Sequence, residues 1–145
     1  MKILNIKTPK RELGTFGEKM AKRYLRRNRY KIREMNFVAD GHEIDIIAED
    51  KNTLVFVEVK TRTLGRENPN EPRPASSVDG QKQRGIIKAA RFYSAYNPTN
   101  KKKRFDIIEV YVNQNNARYS LAEIKHLKNT FNLNTAYSYA ERNKK

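Results

Sequence analysis

Residues 43–61 read EIDIIAEDKNTLVFVEVKT. Two apolar segments, 43–48 and 53–61, flank a polar connector too short for anything but a tight reversal, which predicts an antiparallel pair of strands. The second segment is rich in Val and Phe and is expected at the centre of a sheet. Side chains alternate faces along a strand, so Glu58 and Lys60 project from one face, and Asp45 on the preceding strand can sit beside Glu58. Two carboxylates side by side repel and raise each other's pKa. A divalent cation removes that repulsion, and Mg²⁺ takes one or two carboxylates together with waters and substrate phosphate. The adjacent lysine would then face the phosphate and stabilise charge developing there, or orient the attacking water. An isolated Glu-x-Lys in a strand is ordinarily a solvated face. Here the charges interrupt an otherwise buried segment and stand in register with an acid on its neighbour.

Outward from this pair, residues 13–27 carry Leu13, Phe16, Met20, Ala21, Tyr24 and Leu25 on one helical stripe. Gly14 and Gly17 weaken the first turn but permit close approach of another segment. Residues 30–37 read as a strand, and Asp40-Gly41 as a turn. Residues 64–76 hold three prolines and no apolar run, which predicts a loop. A second helix follows over 79–96, with Ile86, Ile87, Ala89, Ala90 and Tyr93 inward and Ser77 or Asp79 as its cap. Residues 97–103 form a turn ending in a basic run. A fourth strand runs over 104–112, with a turn at 113–117. Residues 121–131 fit either a strand or a short helix. The order of helix, three strands, helix and strand makes a mixed α/β domain, a sheet flanked by helices. A single domain is expected over 12–131, between a basic arm at 1–11 and a polar tail at 132–145.

The chain has 145 residues and no cysteine, which excludes disulfides, thiolate zinc sites and cysteine nucleophiles. No stretch is apolar enough to span a membrane or to serve as a secretory signal, so a cytoplasmic location without membrane partners is expected. The formal net charge is +15, which favours polyanions, above all nucleic acid. Its distribution is uneven. Residues 34–58 hold seven acidic side chains and one basic, between two strongly basic blocks. A pure phosphate-binding surface gains nothing from an acidic island, whereas a cation site inside such a surface requires one.

Glu18 borders the inward stripe of the first helix, where an acid needs a partner; an ordinary salt bridge is as good a reading as a site residue. His42, beside a turn, is expected to be exposed, and His126 carries no signal.

Several stretches resemble the YraN family of bacterial proteins: GTFGEKMAKRYL at 14–25, Asn36-Phe37, EIDIIA at 43–48, LVFVEVKTR at 54–62, Lys82-Gln83-Arg84 with Ala89-Ala90, RFDII at 104–108 and IKHLKNTF at 124–131. The chain departs from the family pattern at His42, where a glycine is usual, and at Val38, where a basic residue is common. That family is similar to the restriction-endonuclase-like PD-(D/E)xK group, close to Holliday-junction resolvases. The resemblance implies a four-stranded mixed core sheet flanked by helices. It implies Asp45 and Glu58 as metal ligands with the Val59 carbonyl as a third, Lys60 as the active-site lysine, and Glu18 as the helix-borne acid of the same site.

The leading expectation is therefore an endonuclease dependent on Mg²⁺ or Mn²⁺, acting on DNA in preference to RNA and on branched or structured DNA in particular. Phosphate contacts are expected from Lys22, Arg26, Lys82, Arg84 and Arg104. A homodimer would suit a two-fold symmetric junction. The alternative is a non-catalytic nucleic-acid-binding module that retains a nuclease fold; an RNA-associated role rests on the charge alone.

Overall fold

The structure is a computed structural model that describes residues 8–65 and 78–132. Its elements are α1 (Pro9–Arg27), β1 (Lys31–Ala39), β2 (His42–Asp50), β3 (Thr53–Thr63), α2 (Gly80–Tyr96), β4 (Lys102–Asn115) and β5 (Arg118–Phe131). Helix α1 starts earlier than the apolar stripe suggests. Thr8 caps it, accepting from the Arg11 N–H at 3.2 Å, and Pro9 occupies the first turn, where its missing N–H costs nothing. Asp79 rather than a preceding serine caps α2, accepting from the Lys82 N–H at 2.8 Å. The expected basic arm over 1–11 is corrected in its last part, since Thr8 caps α1 and Pro9, Lys10 and Arg11 belong to it. Residues 1–7, 66–77 and 133–145 lie outside the described residues, and with them the rest of the arm, most of the proline-rich loop and nearly all of the polar tail.

Among the described residues five strands form one mixed sheet in the order β1-β2-β3-β4-β5, one strand more than the expected four. Residues 118–131 supply the extra strand, pairing antiparallel with β4. Strands β1, β2 and β3 form the anticipated antiparallel meander, and β3 lies at the centre. Only β3 and β4 run parallel, because α2 intervenes between them. The β1–β2 reversal uses Asp40 and Gly41 at φ 51° and 73°, the left-handed pair that a tight hairpin turn needs.

Each face of the sheet buries its own apolar layer. On one face Ala21 and Leu25 of α1 pack on Ile46, Val55, Val57, Ile108 and Val110. On the other Ile86, Ile87, Ala90 and Tyr93 of α2 pack on Ile44, Ile47, Phe56 and Ile107. Gly17 lets α1 approach β3 closely: a Cβ there would run into the Thr61 side chain. Among the described residues no helix is long and apolar enough to cross a membrane.

One break in the pattern positions the site. Ile44 belongs to the α2 layer, yet Ile46, two residues on, belongs to the α1 layer. Their cross-strand partners Phe37 and Met35 divide in the same way. Strict alternation would keep each pair on one face. The switch falls at Asp45 and at Asn36, whose left-handed φ of 53° breaks the alternation within β1, a conformation asparagine tolerates better than most residues.

Candidate active site

At this switch β2 parts from β3. Their register runs from Asp50↔Thr53 to Ile46↔Val57 and stops. The Val59 N–H donates instead to Asp45 Oδ2, at 2.7 Å. Asp45 is half-buried, and Glu58 on β3 is buried. Burial pushes the Asp45 acid up to about 8, helped by the Glu58 charge, opposed by the Val59 N–H, and raised further by Glu18 and by a hydrogen bond shared with Glu58.

Two more acids complete the cluster. Single oxygens of Glu18, Glu43 and Asp45 lie within 4.8 Å of one another. The Asn36 amide holds two of them, donating to Glu18 Oε2 and to Glu43 Oε1 at 2.9 Å each. Burial raises the Glu18 pKa; the Asn36 hydrogen bond works against this, and the charges of Glu43 and Glu58 add to it. The partner that Glu18 needs is thus an amide that also grips a second acid.

Two lysines face the acids from the other side. Lys60 Nζ lies 3.7 Å from Glu58 Oε1, and Lys82 Nζ, from the first turn of α2, lies 2.5 Å from the same oxygen. Burial lowers the Lys60 pKa and the neighbouring Lys82 charge lowers it further, against the pull of Glu58 and Asp45. For Lys82 burial works downward, but the contact with Glu58 outweighs it and the pKa rises.

The fold thus gathers Glu18, Asp45, Glu58 and Lys60 in one place. Val59 contributes its N–H to Asp45. Lys22 and Arg26 follow Glu18 one and two turns along α1, and Lys82 touches the cluster directly. Arg84 lies in the turn after Lys82 and is half-buried. Arg104 belongs elsewhere: it donates to both Asp106 carboxylate oxygens, at 2.8 and 2.9 Å, and to the Tyr30 hydroxyl at 3.0 Å. Asp106 is fully buried on the α1 side of the sheet, where His126 Nε2 and the Asn129 N–H also reach it, at 2.7 and 2.9 Å. Sequence reasoning passed over Glu43 and Asn36, although both lie in the quoted motifs. It also placed His42 in solvent, whereas the imidazole is half-buried over Gly85 of α2, in space that only a residue without a side chain leaves open.

The donor set is all oxygen, with four acids and two lysines. Hard oxygen donors suit Mg²⁺ or Mn²⁺ rather than a thiophilic metal. Burial and the neighbouring acids raise the Asp45 pKa, which is the electrostatic situation a bound cation would relieve.

Residues 17–110 match the profile described as "Uncharacterised protein family UPF0102". The chain is 44% identical over 126 residues to a UPF0102 protein of Caldanaerobacter subterraneus subsp. tengcongensis, covering 86% of this chain and 98% of that one. It is 42% identical to a UPF0102 protein of Clostridium beijerinckii, over 86% of this chain and 96% of the relative. A UPF0102 protein of Geobacter metallireducens is 43% identical over 85% of this chain and 94% of its own length. The matched span contains Glu18, Asp45, Glu58, Lys60 and Lys82, and the chain belongs to the UPF0102 (YraN) family.

Proposed function

We propose that this protein is a divalent-metal-dependent nuclease that hydrolyses phosphodiester bonds in DNA, with branched or structured DNA as its substrate. One observation carries the reading: Glu18, Glu43 and Asp45 bring single oxygens within 4.8 Å of one another where β2 parts from β3, while Lys60 and Lys82 stand against Glu58 on the adjoining strand. A surface that only bound phosphate would gain nothing from carboxylates placed there.

Asp45 and Glu58 would hold Mg²⁺ or Mn²⁺, with the Val59 carbonyl as a third ligand and Glu18 and Glu43 at the rim. When bound, the ion supplies positive charge that offsets the acids and the charge developing on phosphate. The residues of the chain prepare the rest. Asn36 holds Glu18 and Glu43 side by side. Asp45 gives up its proton on loading. Lys60, fixed on a central strand, presents its ammonium to the scissile phosphate or orients water against it. Lys82 leaves Glu58 for a phosphate oxygen, and Lys22, Arg26 and Arg84 hold flanking phosphates.

The test is cleavage of labelled duplex, single-stranded, flap and four-way-junction DNA with Mg²⁺ or Mn²⁺, using wild type beside Glu58→Ala and Lys60→Ala. Cleavage by wild type alone is expected. No cleavage by any of the three, with salt-sensitive DNA binding retained, would leave a binding module in its place.

A further inference from the structure

Helix α2 leaves an aromatic pair in solvent at the end remote from the acids. Phe92 is 47% exposed and Tyr96 76%, and their rings lie 5.5 Å apart. Positions four apart on a helix form one row, and here the row reads Arg84, Lys88, Phe92 and Tyr96, with exposed Arg91 beside Phe92. The opposite face of the same helix is the buried one, carrying Ile86, Ala89, Ala90 and Tyr93. The N-terminal end of α2 lies at the acidic cluster, since Lys82 in its first turn contacts Glu58. At 1.5 Å per residue, Phe92 and Tyr96 lie about 15 and 21 Å along the helix from Lys82.

We propose that this face of α2 is a track for an unpaired DNA strand, with phosphates on Lys88 and Arg91 and bases stacked on Phe92 and Tyr96. The charge selects the occupant. A second copy of this chain would bring two bodies of net charge +15 together. A purely apolar partner would bury Lys88 and Arg91 without compensation. A single strand alone offers both an anionic backbone for the cations and exposed base faces for the rings. A duplex hides those base faces in its own stack. That the strand leads to the scissile bond rests on the nuclease reading; the binding itself does not.

The experiment is equilibrium binding, with chelator present, of three labelled DNAs: a single strand of about ten nucleotides, the same strand with abasic sites, and a blunt duplex. The Phe92→Ala/Tyr96→Ala variant should bind the single strand about five- to a hundredfold more weakly than wild type. Both proteins should bind the abasic strand equally, and both should bind the duplex equally. Both replaced rings are exposed, so circular dichroism should be unchanged. An unchanged single-strand affinity, or an equal loss on all three DNAs, overturns the stacking track. So does a wild-type dimer that the variant dissolves, which would make the face a protein–protein interface. Absence of cleavage with this binding pattern intact counts against the nuclease reading and leaves the track standing.

Discussion

Asp45 Oδ2 accepts its 2.7 Å hydrogen bond from the Val59 N–H, the amide of the Glu58–Val59 peptide. The strand that carries two of the proposed site residues therefore also fixes the acid opposite them. Because burial and Glu58 raise the folded Asp45 pKa to about 8, from 3.8 in an open chain, the folded state keeps a proton that the unfolded state loses. Stability from this group is complete below about pH 4 and declines as pH rises to about 8. In chelator, the melting temperature of wild type should fall relative to Asp45→Asn across that interval. Saturating Mg²⁺ should cancel the difference by favouring the ionised acid. Parallel curves for the two proteins would show that Asp45 does not hold the proton.

Two glycines three residues apart in α1 should respond oppositely to alanine. A Cβ at Gly14 meets nothing, so Gly14→Ala gains helix propensity of about 1 kcal/mol. A Cβ at Gly17 collides with Thr61, so Gly17→Ala should cost about 1–3 kcal/mol and move Glu18 away from Asn36. Urea denaturation of both variants measures the difference, and a stabilised Gly17→Ala would contradict the close approach of α1 to β3.

The buried Asp106 cluster is expected to be structural. Burial works against the Asp106 charge, but hydrogen bonds from His126, Arg104 and the Asn129 N–H more than offset it and lower the pKa. Asp106→Ala leaves Arg104 without its carboxylate and should cost about 3–5 kcal/mol. The contribution of the native acid is present above its unfolded pKa near 3.8 and disappears as pH falls through its lower folded value. Acid titration of wild type followed by far-ultraviolet dichroism should place this loss at the acid end, apart from the Asp45 window.

Lys82 and a divalent ion would compete for Glu58. Lys82→Gln should therefore tighten Mn²⁺ binding in the absence of DNA by about two- to fivefold, as befits a partly exposed ion pair. The same change should weaken DNA binding. Calorimetric titration with Mn²⁺ measures the first effect, and looser Mn²⁺ binding would mean that Lys82 organises Glu58 rather than occupying it.

Salt dependence separates phosphate contacts from structural cations. Replacing Lys22, Arg26 or Arg84 by Gln should each reduce the slope of log affinity against log salt on duplex DNA by about 0.9. Arg104→Gln should leave the slope unchanged and lower stability, because Asp106 and Tyr30 already hold that guanidinium. A reduced slope for Arg104→Gln would return it to the DNA-facing set.

The hairpin of β2 and β3 was legible because its apolar residues are dense and its connector is short. The acid pair followed from strand pairing, and the lysine from alternation. Strand β5 was ambiguous for a physical reason: as an edge strand it exposes most of its side chains, so no period of two survives in its sequence. The start of α1 lay beyond the apolar stripe because its first turn, Pro9 to Glu12, touches water on every side. Glu43 escaped notice because it is exposed, and its place in the cluster depends on the Asn36 amide, set by that residue's left-handed backbone. His42 was misplaced because its neighbour Gly85 is distant in sequence.

Asp45, Glu58 and Lys60 all belong to one hairpin, so the chain closes only a short loop to bring them together. Glu18 and Lys82 arrive on helices that must dock across the sheet. The hairpin thus holds two acids and one lysine through neighbouring strands, whereas Lys82 reaches Glu58 only through the docking of α2, so a change that loosens α2 would strip one cation from Glu58 and leave Asp45, Glu58 and Lys60 in place.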